Sequence, residues 1–155
     1  MSELSLPKLR VGYWNIRGLG APLRAMCMFV NEPFVADCYV ATSDGVNCDR
    51  SSWGDKKGAL KERNCLMNLP YVVDGDRVVS QTNACMSYLG RKLGLWGNTD
   101  DEVIDVEQLL CEVYDLRGGM VRFAYGASPE KAVETMAGQK EGSLHKLELW
   151  LAGST

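Results

Sequence analysis

Apolar and β-prone residues dominate Leu9 to Ile16, which predicts a buried strand, and Gly18 and Gly20 punctuate its end. Pro22 then opens a helix at the first-turn position, where a missing N–H is harmless, and Leu23, Met26, Cys27 and Val30 recur on one helical face. Pro33 closes that helix and Phe34 to Val40 reads as a second strand. A strand, helix and strand in this order demand parallel pairing with a right-handed crossover. Residues 41–68 read as polar and irregular, with Trp53 isolated among Asp, Ser, Lys and Gly. Tyr71 to Val73 and Arg77 to Val79 flank the turn sequence Asp74-Gly75-Asp76 and predict an antiparallel hairpin. Thr82 to Leu93 reads as a helix stopped by Gly94, with Thr82 as its N-cap. Thr99-Asp100-Asp101-Glu102 is a capping box for a long helix carrying Val103, Val106, Leu110 and Val113 on one face. Gly118-Gly119 is expected to kink or weaken it, at about 1 kcal/mol per glycine. Ser128-Pro129-Glu130 starts a last helix with Val133, Met136, Leu144, Leu147 and Leu151 along its apolar side, and Gly153 stops it.

The strand-helix-strand opening followed by two strands and a helix is the order of an α/β thioredoxin-like domain (β-α-β-β-β-α), assigned to residues 1–93. Residues 94–99 form a linker, and residues 100–155 a partial all-helical domain. Two apolar-striped helices cannot close a core by themselves, so they must bury their stripes against the first domain, a second subunit or further segments.

Composition narrows the function classes. With 46% hydrophobic and 24% charged residues the chain is globular rather than disordered. A net charge of -3 offers no footprint for nucleic acid, whose phosphates are gripped by clustered Lys and Arg. No apolar run approaches the ~18 residues that would span a bilayer, and no signal peptide opens the chain, so a cytoplasmic location is expected. The six cysteines lie too far apart for a C-x-x-C redox pair or a zinc site, so no metal is expected and the cysteines read as free thiols. Cys27 and Cys85 fall in apolar helical patterns, whereas Cys48, in a polar loop, is the expected first target of a thiol reagent. The single histidine, His145, reads as an exposed helix residue.

The most informative feature is the combination of Val11-Gly12-Tyr13-Trp14-Asn15-Ile16-Arg17-Gly18-Leu19, Asn68-Leu69-Pro70-Tyr71 and Gln81-Thr82-Asn83. Together these offer a hydroxyl, a strand edge and a helix N-terminus to one small peptide-like ligand. With Asp49-Arg50-Ser51-Ser52-Trp53 and Ser80-Gln81-Thr82-Asn83-Ala84 in the same order, the chain resembles a cytosolic glutathione S-transferase of the mu class from about Lys8 onward.

That resemblance implies a transferase that conjugates the thiolate of reduced glutathione to small hydrophobic electrophiles, with glutathione as co-substrate, no other cofactor, and a homodimeric assembly. It implies Tyr13 as the catalytic phenol, since a neutral donor with pKa ≈ 10 can hydrogen-bond a thiolate and favour the ionised sulfur. It implies a cis peptide at Leu69–Pro70, turning the Leu69 backbone toward an added strand of ligand, with Asn68 alongside. Gln81 and Thr82 would receive the γ-glutamyl carboxylate at a helix N-terminus. Thr82 stands where the family commonly has serine. Trp14, Leu19, Arg50, Trp53 and Lys57 fall where further glutathione contacts are expected, the loop Trp and Lys at the glycyl carboxylate. Two extra residues separate Trp53 from Asn68, which makes Lys56 and Lys61 rivals of Lys57. Asp115 falls where an aspartate reaches the other subunit's γ-glutamyl amine, and Tyr125 where a hydroxyl faces the electrophile.

The chain departs from the family pattern at Gly20-Ala21, at Gly118-Gly119, and in ending at Thr155, where the family's helical domain continues and supplies a wall of the electrophile pocket. A truncated form, a short form completed by dimerisation and a degenerate relative all remain open. The alternative function is a glutathione- or ligand-holding module without turnover, or an inactive fragment. A glutaredoxin-like oxidoreductase would need a cysteine before the first helix, where Gly, Leu and Ala stand instead.

Overall fold

A computed structural model of the chain describes residues 8–43, 48–126 and 129–153. The chain forms two compact units, Met1–Trp96 and Gly97–Thr155.

In the first unit β1 (Leu9–Trp14), α1 (Ala21–Phe29) and β2 (Val35–Tyr39) make the parallel crossover unit. A small ribbon, β3 (Thr42–Ser43) and β4 (Cys48–Asp49), leads into α2 (Ser51–Arg63). The hairpin β5 (Tyr71–Asp74) and β6 (Arg77–Ser80) follows, then α3 (Thr82–Lys92). The four main strands are ordered β2-β1-β5-β6, with β1 parallel to β2 and antiparallel to β5.

Alternation along β1 divides the core between the sheet's two faces. Leu9 and Val11 point to one face and meet Leu23 and Cys27 of α1, Val72 of β5, and Cys85 and Leu89 of α3. The other face carries Tyr39, Tyr71 and Val73, and Trp53 of α2 covers it together with Met67. Each fully buried aliphatic side chain here contributes about 2 kcal/mol.

Several sequence-based expectations change in detail. The first strand stops at Trp14 rather than Ile16, because Asn15 N–H donates to Tyr39 O at 2.7 Å and Ile16 N–H turns back to Trp14 O at 2.7 Å. The second strand is shorter at both ends than Phe34 to Val40. Within the segment expected to be irregular, residues 51–63 form α2. Its only large apolar residues, Trp53 and Leu60, are two helical turns apart, and Gly54 and Gly58 lower its propensity, so no amphipathic stripe announces it. Burial of Trp53 and Leu60 against the aromatic face supplies what propensity lacks. Thr82 is the first helical residue of α3, and Gln81, not Thr82, is the N-cap.

In the second unit α4 (Asp100–Gly126) opens on the expected capping box: Glu102 N–H donates to Thr99 Oγ1 at 3.2 Å and Thr99 N–H donates back to Glu102 Oε2 at 3.3 Å. The helix runs through Gly118 and Gly119 without a break, its length outweighing about 1 kcal/mol per glycine. The expected single last helix is two: α5 (Pro129–Glu141) and α6 (Ser143–Gly153), interrupted at Gly142. Ser128 lies outside the described residues. His145 on α6 is exposed, as its pattern predicts.

Asp74 ties the hairpin to α3. Its Oδ2 accepts from Tyr88 Oη at 2.7 Å and lies 2.7 Å from Lys92 Nζ. Hydrogen bonding to Lys92, then to Tyr88, holds the carboxyl below its ordinary range. A depressed folded-state pKa stabilises the fold above the unfolded value of ≈ 3.9 and loses that contribution as pH falls through the folded value. Lys92→Met is therefore expected to lower stability at pH 7 by less than about 1 kcal/mol and to leave that deficit smaller at pH 2. Urea unfolding at the two pH values checks this, and a deficit independent of pH would refute it.

Burial also sorts the thiols. Cys27 and Cys85 are fully buried, and desolvation raises both, Cys85 to about 12. Cys38, Cys65 and Cys111 are exposed. The Cys48 side chain lies outside the described residues. Alkylation near neutral pH is expected to label Cys38, Cys65 and Cys111 in the native protein, and Cys27 and Cys85 only after unfolding; peptide mapping reads the outcome.

Candidate functional site

The strand register gathers the expected site at one end of the sheet. Gly12 pairs with Tyr71, and Tyr71 pairs with Ser80, so the end of β1, the approach to β5 and the exit from β6 lie side by side. Tyr13 and Trp14 thus face the Leu69–Pro70 segment, and Gln81 and Thr82 follow directly on its far side. The Leu69–Pro70 peptide is cis, which turns the chain sharply before it joins the sheet. Asn68 is fastened there: its N–H donates to Ser80 Oγ at 2.9 Å, and that hydroxyl donates back to Asn68 O at 3.0 Å.

Tyr13 is 8% exposed, and among the described residues its hydroxyl makes no hydrogen bond. Its side chain lies under the 3-10 turn Gly18–Gly20, which carries the half-buried Leu19. Arg24 Nη2 on α1 clamps this turn by donating to Ile16 O at 3.0 Å.

Gln81 adopts φ 73°, ψ 127°, the left-handed side of conformational space that L-residues avoid, and it precedes an eleven-residue helix. No side chain caps that helix. Its first-turn N–H groups and positive dipole end are suited to an anion.

Trp14, Trp53 and Leu69 belong to one apolar cluster. The Trp53 ring stacks on Tyr71 at 5.8 Å and tilts against Tyr39 at 5.1 Å. Lys57, one turn after Trp53, sets its Nζ 5.9 Å from the indole centroid, a cation–π distance. Its rival Lys56 instead lines a crevice with Arg10, Asp37 and Leu60, and Lys61 is exposed. Arg50 immediately precedes α2 and is exposed.

Beneath Trp53 lies a polar chain that sequence reading did not single out. Tyr71 Oη donates to Asp37 Oδ2 at 2.9 Å, which leaves Tyr39 as the donor in the 2.6 Å bond between the two phenols. Arg10 grips Asp37 through two guanidinium nitrogens, Nε at 2.9 Å and Nη2 closer. Desolvation raises both phenol pKa values, and the Asp37 hydrogen bond raises Arg10. Both phenols stay neutral donors at physiological pH. Tyr71 belongs to the Asn68-Leu69-Pro70-Tyr71 segment, but only the sheet register brings Asp37 and Arg10 to the same spot.

Asp115 is on α4 in the second unit, exposed in a groove of ≈ 570 Å³ lined by Ile104, Glu112, Leu147 and Trp150. Tyr125 closes the same helix; its side chain lies outside the described residues.

No family model matches the chain. It is 40% identical over 121 residues to glutathione S-transferase Mu 6 of Mus musculus, covering 78% of this chain and 54% of that protein. It is 30% identical over 152 residues to glutathione S-transferase Mu 5 of Mus musculus, covering 98% of this chain and 66% of that one. The crystal structure of the glutathione S-transferase from Ascaris lumbricoides superposes with a TM-score of 0.71 at 27% identity, over 96% of this chain and 69% of that one. The chain thus spans between about half and two thirds of the curated relatives it matches.

Proposed function

For a chain related to the mu-class glutathione S-transferases over nearly its whole length, we propose that it binds reduced glutathione at the sheet end around Tyr13 and transfers its sulfur to small hydrophobic electrophiles. The observation that carries the reading is the convergence of Tyr13, the cis Leu69–Pro70 segment and the uncapped N-terminus of α3 at one end of the sheet. The cysteinyl backbone of glutathione pairs with Leu69 as an added strand, beside Asn68. Its γ-glutamyl carboxylate sits at Gln81 and Thr82, where backbone N–H groups and the helix dipole favour an anion. Its glycyl carboxylate meets Arg50, Trp53 and Lys57. Trp14 and Leu19 close over the tripeptide.

The thiol proton leaves to water, and the Tyr13 hydroxyl donates a hydrogen bond to the sulfur anion, favouring the ionised form. A sulfur lone pair then forms the S–C bond. On a chloronitroarene, chloride departs with its bonding pair; on an activated alkene, the carbanion takes a proton from water. Glutathione is the co-substrate, and the reaction needs no further cofactor.

In a homodimer, Asp115 reaches the partner's γ-glutamyl amine and Tyr125 faces the electrophile. No helix among the described residues is long and apolar enough to cross a membrane; the proposed setting is the cytoplasm.

Calorimetric titration with glutathione and a chloronitroarene conjugation assay test the proposal. Saturable binding with conjugation above the uncatalysed rate is expected. Binding without conjugation would reduce the protein to a glutathione-holding module, and absence of both would overturn the reading.

A further inference from the structure

Ser80, the last residue of β6, is 5% exposed, and no other Ser, Thr, Asn, Gln or charged residue among those described is buried to that degree. Its hydroxyl is used twice on one backbone unit, accepting from Asn68 N–H at 2.9 Å and donating to Asn68 O at 3.0 Å. Strand pairing does not reach that segment. The last rung between β5 and β6 joins Tyr71 to Ser80, and Pro70, which has no N–H, cannot donate to another. Asn68 lies beyond that rung, past Pro70, and is exposed. On its other side Ser80 leads directly into Gln81, at φ 73°, and into the start of α3 at Thr82. Asn68 and Ser80 are 12 positions apart in the chain. One hydroxyl therefore ties the approach to β5 to the exit from β6.

We infer that Ser80 is a positioning residue: its hydroxyl holds the Leu69 segment, which takes the cysteinyl backbone of glutathione, at a set spacing from the α3 N-terminus, which takes the γ-glutamyl carboxylate. The inference rests on the transferase reading and adds to it a residue outside the proposed ligand contacts. Two parts of one small ligand are joined by a short covalent link, so engaging one places the other at high effective concentration. That gain is lost when the two receiving segments stand at the wrong separation. A misplacement of about 1 Å in such a segment costs on the order of a hundredfold when it carries to the reacting atom. Removing the hydroxyl breaks both bonds to Asn68 at once. Because Asn68 is exposed, water can meet its freed N–H and C=O. The segment then shifts outward while the rungs of the sheet, which do not involve the hydroxyl, persist.

The test uses the full chain and the variants Ser80→Ala, Ser80→Thr and Ser80→Cys. Urea unfolding shows whether each is folded at the assay temperature, calorimetry gives the affinity for S-methylglutathione, and absorbance of the bound thiolate against pH gives the ionisation of glutathione in its complex. Ser80→Ala is expected to weaken S-methylglutathione at least about tenfold and to raise the pH at which the bound thiol ionises. Ser80→Thr keeps the hydroxyl and is expected to stay within about threefold of wild type. Should Ser80→Ala fail to fold, Ser80→Cys decides: its thiol fills the same space but hydrogen-bonds weakly, and a loss of at least about threefold is expected. A hydroxyl that served stability alone would lower the urea midpoint and leave affinity and thiol ionisation of the folded variants at wild-type values. That result, or a Ser80→Thr variant of wild-type stability that loses as much as Ser80→Ala, would overturn the inference while the wild-type protein still binds glutathione and conjugates it. A wild-type protein that neither binds S-methylglutathione nor conjugates would instead remove the transferase reading, and the role of Ser80 with it.

Discussion

Tyr13→Phe is expected to reduce chloronitroarene conjugation by about 10²-fold, the usual cost of removing one donor from a developing or standing anion in a water-poor site. The substitution deletes a single oxygen from a residue that is 8% exposed, and that hydroxyl has no intramolecular partner among the described residues to be orphaned. Stability should therefore change little, and the loss should appear in kcat rather than in affinity for S-methylglutathione, which has no thiol to ionise. The deficit has a sign with pH. Without the phenol the bound thiol ionises at a higher pH, so the ratio of wild-type to variant rate should shrink as pH rises toward the thiol's own range. Steady-state rates across pH check this, and a loss under threefold at neutral pH would place the chemistry elsewhere.

The largest structural effect is expected at Gly12. A Cβ there would fall 2.1 Å from both Cε1 and Cζ of Tyr71 and 2.7 Å from its Cδ1. The ring cannot retreat. Tyr71 is 2% exposed, stacks on Trp53 at 5.8 Å, and its hydroxyl donates to Asp37 while accepting from Tyr39. Displacing it would leave Asp37 and Tyr39 short of partners beside Arg10, adding about 1–3 kcal/mol for each buried polar group left unsatisfied to an overpacking cost of similar size. Gly12→Ala is therefore expected to destabilise the protein by about 3 kcal/mol or more, read as a lower urea midpoint at unchanged m-value. The same substitution in a Tyr71→Ala background should cost much less, because the obstructing ring is gone. A single-variant loss below about 1 kcal/mol would show that the ring has room to yield.

The two expectations concern adjacent residues of β1 that point to opposite faces of the sheet. Tyr13 is presented toward the turn and α1, while Gly12 makes room for the aromatic face under α2. A strand whose neighbouring positions are thus committed leaves little freedom for repacking.

The strand, helix and strand opening, the Asp74-Gly75-Asp76 hairpin and the Thr99 capping box were legible because each rests on local chemistry: β-prone runs, turn residues, and a hydroxyl three residues before a glutamate. The helix over 51–63 was not, since Trp53 and Leu60 make too thin a stripe to give a period, and its stability comes from an aromatic surface built by strands distant in sequence. The break at Gly142 and the continuity of α4 through Gly118 and Gly119 both depart from the sequence expectation, because the surroundings of each glycine decide whether its helix breaks. Glycine propensity is a bias of about 1 kcal/mol that the rest of a long helix can override. Among the residues of the proposed site, Tyr13, Leu69, Pro70, Gln81 and Thr82 stood out in short motifs. The crowding around Tyr13, the choice of Lys57 over Lys56 beside Trp53, and the Arg10, Asp37, Tyr71 and Tyr39 chain did not.

By itself the sequence determined the strand-helix-strand opening, the hairpin, the start of the long helix and which reactive groups are present, because hydrophobic period, capping and turn chemistry act over a few residues and are written in those residues. Tertiary structure alone decided what Gly12 is for and which polar groups meet. Gly12 stands beside Tyr71, and Arg10 with Asp37 beneath Trp53, only after β1, β2 and β5 adopt their register. Close approach is a property of two segments, and neither segment's sequence contains it.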